Sequence, residues 1–435
     1  MIDKGHPFHT SKPPAEYPSM MYRSCSLKTS AIHLVSCLGF CMTGISGAVR
    51  AETPQPPASP VQETFGKVYH CNAGPWGQLE YYYIYLEAPQ NLIEHFPMPN
   101  SVTKWEFPGE TETSLRTLFT RATLPQALQD YLLDPKNCIN RGGRITVFPP
   151  LPDLTVMTPA QRSVIYAVLA KSPENEFYAN PVFITSGSVD QWLGQSRLNE
   201  EVREVVKKFT YMRGEVLAFS DLSAVLNYVK TDAEARDFFK TMTRTRSLMV
   251  KLVIDDSTDL KNVVRYWSGR KRNKDIEPLV TSTLETEGTN KLDVIHLLPS
   301  LARRFLYGYP PMELAVMGRM PDCHWTSLNF FNYKPREYYL DTRLATSAVL
   351  ENYNRIEAPF EFGDVLMFLN VQGNAIHSCV YVADDIVYTK NGENIASPWL
   401  LMKVSDVQRI YSYEGQTSIQ GFRLKPSPDA AGGEE

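Results

Sequence analysis

The chain has no domain-sized excess of basic residues and no internal repeat, and a single long apolar run near its start. The first lack removes the usual electrostatic footprint of a nucleic-acid binder, since lysine and arginine nearly balance aspartate and glutamate and the formal net charge is −4. The second removes solenoids and propellers. The third leaves no stable membrane span in a mature chain, because nothing beyond residue 49 approaches the ~20 apolar residues needed to cross a bilayer. Cysteine is sparse, at 7 in 435 residues, so a disulfide-framework fold is excluded. What is present is ordinary for a cored protein: hydrophobic residues make up 43%, and the length fits two or three domains at ~150 residues each. The 31 prolines and abundant Tyr and Phe favour short strands and loops over long helices.

The apolar run, Ser30 to Val49, contains no charge and many small residues. Arg23 and Lys28 precede it, and Val49-Arg50-Ala51 offers small residues where a signal peptidase reads. Residues 1–51 are therefore read as a secretory signal peptide, with the true start at Met20 or Met21, and the protein as exported, periplasmic or secreted. Removing the signal takes away five basic and two acidic residues and three cysteines, so the mature chain is more acidic and keeps Cys71, Cys138, Cys323 and Cys379. In an oxidising compartment Cys71 and Cys138 are candidates for a disulfide. A bridge between Cys323 and Cys379 would instead remove any thiol chemistry.

Residues 52–64 form a Pro-rich linker. From 65 to 290 the patterns alternate as in an α+β domain to which no chemistry attaches. Leu79 to Leu86 and Leu248 to Ile254 read as strands, Thr158-Pro159 starts a helix, and Asn199 to Phe209 is amphipathic. Asp221 and Asp232 are read as helix caps. Tyr266 to Lys274 carries a basic run beside aromatics, a feature that can contact phosphate or an acidic polymer but is more often a solvated loop. Lys291 to Tyr307 has helical periodicity. A short tail, 426–435, is read as disordered.

The chemistry concentrates in 291–425. Asp322 can cap a helix opening at Cys323, and a helix start is where unpaired amides and the dipole favour a thiolate. Gly363-Asp364-Val365-Leu366-Met367-Phe368 reads as a strand, followed by a strand that carries His377. The turn Ala383-Asp384-Asp385 then leads into Ile386 to Lys390. A thiol nucleophile needs such a base, and the base needs a third polar group to hold it. Thr389 and Asn391 share one strand face by the period of two, and Asn391 is the preferred third member because an amide oxygen accepts an N–H bond strongly. Cys323, His324, His377 and Cys379 are an alternative zinc set.

The order Asp-Cys at a helix start, Gly-Asp-Val-Leu-Met-Phe, His followed by apolar-Tyr-apolar, an acidic turn and a polar strand resembles the NlpC-like cysteine peptidases of the papain-like cell-wall hydrolase superfamily. The resemblance covers roughly 300–412 and marks a divergent branch, since His324-Trp325 follow the cysteine where the family usually has Ser-Gly. It implies a nucleophile helix packed on a small antiparallel sheet. It also implies Cys323 as nucleophile and His377 as general base, and a tyrosine near the oxyanion, matched by Tyr307 or Tyr309. The implied activity is hydrolysis of a peptide or amide bond in the peptidoglycan stem, with a peptide or peptidoglycan-like substrate and no cofactor. A non-catalytic envelope-binding module on the same fold is the alternative.

Overall fold

The structure, a computed structural model, describes residues 66–95, 99–413 and 415–426. The signal peptide, the linker through 64 and the tail beyond Pro426 lie outside the described residues. The architecture is α+β, with helices around several small antiparallel sheets.

One hydrophobic core draws on residues 88–242, joined by Ala315 and Ile395. Its helices form where the sequence supplies both an apolar stripe and a cap. Pro159–Leu169 starts at Thr158, which with Gln161 makes a reciprocal capping box, and buries Ile165, Tyr166 and Leu169. Glu200–Phe209 is capped by Asn199 and buries Val202, Val205, Val206 and Phe209, one face of a 3.6-residue period. Asp232–Met242 is capped by Thr231 rather than by Asp232. Asp221 begins a helix without capping it, because its carboxylate is spent elsewhere. It accepts from Tyr166 at 2.9 Å and Tyr178 at 3.2 Å and lies 3.6 Å from the Arg162 guanidinium. Arg162 also donates to the carbonyls of Met157 and Leu154. All four side chains are buried.

The second core joins Leu79, residues 248–306 and residues 325–422, so residues 248–290 pack with the C-terminal part rather than with the preceding domain. Its larger sheet has six strands in the order Tyr353–Ile356, Ser418–Leu424, Val365–Leu369, Ala375–Ala383, Ile386–Lys390, Trp399–Lys403. A four-stranded sheet built on Gln78–Leu86 and Thr245–Val253 abuts it through Ser247, whose hydroxyl bonds both the amide and the carbonyl of Leu401. The helix expected over Lys291 to Tyr307 is instead a short strand, Lys291–Asp293, a 3₁₀ turn, Val294–Leu297, and a helix, Ser300–Phe305. The strand pairs with Leu252 and its neighbours, and Pro299 interrupts the rest.

The disulfide between Cys71 and Cys138 does not form. Cys71 packs against the second core and Cys138 against the first, and both thiols are free, as are Cys323 and Cys379.

Candidate functional site

Asp322 takes an extended conformation and accepts the Trp325 amide at 2.6 Å, so Cys323 is the first residue of the helix Cys323–Leu328. That helix lies on one face of the six-stranded sheet. Ser378 sits at its centre: its hydroxyl donates to the Cys323 carbonyl at 3.2 Å and bonds the Ser327 hydroxyl at 3.1 Å, while the His324 Nδ1 lies 3.0 Å away. Trp399 closes the far side by donating its indole N–H to Thr326 at 3.0 Å. Val380, Tyr388 and Leu401 belong to this face, and Trp325 is a core residue against Phe305 and does not line the cleft that Cys323 reaches.

His377 belongs to the other face. Side chains alternate along a strand, and His377, Cys379 and Tyr381 point opposite to Ser378 and Val380. In the neighbouring strand Phe368 stands opposite His377 and Met367 opposite Ser378. The His377 face is covered by the helix Val404–Tyr411, whose Val407 and Ile410 join Leu366, Phe368, Cys379, Leu400 and Met402 in a third cluster. Tyr411 stacks on the imidazole at 4.1 Å between ring centres.

Thr389, and not Asn391, holds the imidazole. Its hydroxyl lies 2.9 Å from His377 Nε2, whereas Asn391 donates its amide to the Met402 sulfur at 3.3 Å and leaves its Oδ1 buried without a partner. His377 Nδ1 is likewise buried with no hydrogen-bond partner, so no hydrogen bond joins this ring nitrogen to the Cys323 sulfur. Burial, and next the neighbouring His324, hold the imidazole well below the usual histidine range, so it is neutral at pH 7. Burial, reinforced by Asp322, pushes the Cys323 thiol up, while the amides of Ser378, His324 and Cys323 itself act in the opposite sense. The resting pair is therefore a neutral thiol and a neutral imidazole.

The ladder between Ala375–Ala383 and Ile386–Lys390 ends at Val380 opposite Tyr388. Below that pair lies a cleft of about 220 Å³ that Cys323 reaches from the helix side and that Ile376, Asn391, Leu400, Met402 and Tyr411 also line; His377 itself does not line it. The first core supplies the opposite wall. There Arg213 donates to the carbonyls of Tyr178 and Ala179 and lies 4.2 Å over the Tyr413 ring. Among the described residues no aspartate or glutamate lines this cleft. Neither Tyr307 nor Tyr309 does so either, contrary to their expected place near an oxyanion: Tyr307 donates to the Leu248 carbonyl, and Tyr309 packs against the first core.

The zinc set does not converge. His324 turns to Ser378 and His377 to Thr389, on opposite faces of one sheet, and no group of three or more His, Cys, Asp or Glu side chains placed to hold a metal occurs among the described residues. Asp364, expected at a strand start, anchors Arg423 through two bonds of 2.8 and 2.6 Å. The sequence reading missed Tyr411. Its signal was the apolar spacing Val404, Val407, Ile410, Tyr411, a helical stripe directly after a strand. Among the described residues no helix is long and apolar enough to cross a membrane. Set against known proteins, no family model, no curated protein and no solved structure matches the chain.

Proposed function

We propose that the chain is a cysteine peptidase or amidase of the NlpC-like, papain-like type, exported to act on a peptide or amide bond of the cell envelope. The observation that carries the reading is the junction at the cleft. A cysteine at a capped helix start reaches the space from one side of the sheet. Behind the lining on the other face of the sheet lies a buried histidine, not itself exposed to the cleft, with one nitrogen against Thr389 and the other without a partner. For His377 Nδ1 to act as base, Nε2 must carry the proton and donate it to the Thr389 hydroxyl. Nδ1 then takes the thiol proton as the sulfur attacks the carbonyl carbon, and the carbonyl π-electrons move to oxygen. Collapse of the tetrahedral adduct breaks the C–N bond, the imidazolium returns its proton to the leaving amine, and an acyl-thioester remains on Cys323. Water, deprotonated by the same nitrogen, releases the acid and restores the thiol. Attack requires a backbone rearrangement at the end of the His377 strand, with Tyr411 moved off the imidazole, that brings sulfur and Nδ1 together. The apolar run Ser30 to Val49 supports the exported location.

The test is peptide mapping of the full chain after treatment with iodoacetamide at neutral pH, with hydrolysis of peptidoglycan fragments assayed in parallel. The expected result is an adduct on Cys323 and loss of hydrolysis in Cys323→Ala. Undiminished hydrolysis in that variant would dismiss the mechanism. The second reading, a non-catalytic binding module, is favoured by the burial of the thiol, which is only 3% exposed. It predicts fragment binding without turnover and no adduct on Cys323.

A further inference from the structure

The basic run after Trp267 does not behave as one solvated loop. Gly269, Arg270 and Lys271 all take left-handed backbone, with φ of 52°, 59° and 66°. The turn separates the three cations. Arg270 pairs with Glu361, Lys271 stays exposed, and Arg272 is half-buried, 5.5 Å over the Phe331 ring. Gly269 permits this approach, since a Cβ there would meet Phe331 at 2.8 Å.

Arg272 opens onto a cavity of about 280 Å³ that shares no lining residue with the Cys323 cleft. Arg336 and Lys425 line it too, with Ser327 and Tyr353, and among the described residues no aspartate or glutamate does. Each cation gives one nitrogen to a neutral oxygen of the protein. Arg272 donates to the carbonyls of Leu424 and Lys425 at 3.0 and 3.3 Å, Arg336 to the Tyr338 hydroxyl at 3.2 Å, and Lys425 to the Glu351 carbonyl at 2.7 Å. None of the three has a carboxylate partner among the described residues, whereas nearby Arg270 and Arg423 are both paired with acids. Burial, and next the charge of Arg270, pull the Arg272 guanidinium below its ordinary range.

Two guanidinium forks and an ammonium around one small concavity offer more donors than a monocarboxylate can accept, but they match the several oxygens of a dianionic phosphate. The volume of about 280 Å³ falls just below the roughly 300–1,000 Å³ of drug-sized ligand cavities, as suits a small anion. We propose that this cavity is a binding site for a phosphate group, free or carried as a small monoester. The site stands independently of any thiol chemistry at Cys323.

The experiment is calorimetric titration of the full chain with inorganic phosphate and, separately, with glycerol phosphate, using acetate as the monocarboxylate control. Saturable binding with one site per chain is expected for at least one of the two phosphates. It should weaken as sodium chloride is raised. Arg336→Gln and Lys425→Gln should each weaken it about tenfold, and the double variant should lose it. Both side chains are exposed, so these variants keep the fold, whereas Arg272→Gln also frees the carbonyls at 424 and 425. A stronger response to glycerol phosphate would assign the monoester. Absence of saturable binding to either phosphate, equal binding by the Arg336→Gln/Lys425→Gln variant, or acetate binding as tight as phosphate would overturn the proposal.

Discussion

Asp221 is the most exacting test of the physical reading, because two large effects oppose each other there. The carboxylate is buried, which favours its neutral form, and it faces the buried Arg162 and two tyrosine hydroxyls, which favour its charge. Desolvation wins: it pushes Asp221 from 3.8 up to about 6, with Arg162 and then the tyrosines opposing it. A shift of about 2 units corresponds to about 3 kcal/mol at 1.36 kcal/mol per unit. The sign follows from proton linkage. Between the unfolded value near 4 and the folded value near 6, the native state holds the proton that the unfolded chain has released. This group's contribution to stability therefore falls as pH rises through that window. Asp221→Asn mimics the protonated form at every pH and has no such slope. Urea unfolding of wild type and variant from pH 4 to pH 7.5 should show their stability difference moving by about 3 kcal/mol in favour of the variant as pH rises. Parallel curves, or a difference moving the other way, would mean that the Arg162 ion pair outweighs desolvation and that the argument is wrong. The cluster lies behind the cleft wall, since Arg213 is tied to the Tyr178 carbonyl, so the same titration bears on the rigidity of that wall.

Two further outcomes follow from single contacts. Thr389→Val removes the one hydroxyl holding His377 Nε2 and leaves a fully buried imidazole with no partner. It should cost about 1–3 kcal/mol in unfolding free energy and reduce any hydrolysis at unchanged substrate affinity, and a variant as stable and as active as wild type would deny Thr389 its positioning role. Gly363→Ala puts a methyl group into the Phe331 ring at a residue with φ of 89°. A loss of about 2 kcal/mol or more in Tm-derived stability is expected from overpacking and backbone strain together, and a neutral result would show that Phe331 moves freely.

The local grammar of this chain was readable without coordinates. Thr158-Pro159, Asn199 and Asp322 carry their helix starts in the residue types themselves, because a cap needs only a side-chain oxygen three residues ahead of an amide. The hairpin through Ala383-Asp384-Asp385 and the strands around His377 follow from alternation and turn chemistry alone. Period two even placed Thr389 and Asn391 on a common face. It could not choose between them, since that choice depends on where the imidazole reaches across to the next strand. The cap assigned to Asp221 failed for the same reason: its oxygens are claimed by Tyr166, Tyr178 and Arg162 from other elements. So did the helix over Lys291 to Tyr307, where pairing with Thr245–Val253 overrode a helical stripe. Most consequential is which face of the six-stranded sheet each reactive group occupies. The order of Cys323 and His377 along the chain says nothing about it, because one is set by a helix docking on Ser378 and the other by the helix Val404–Tyr411 closing over the imidazole with Tyr411. Sequence determines what each segment is; long-range packing decides which side chains come to share a cleft, since only the folded chain can desolvate a group and fix its neighbours at once.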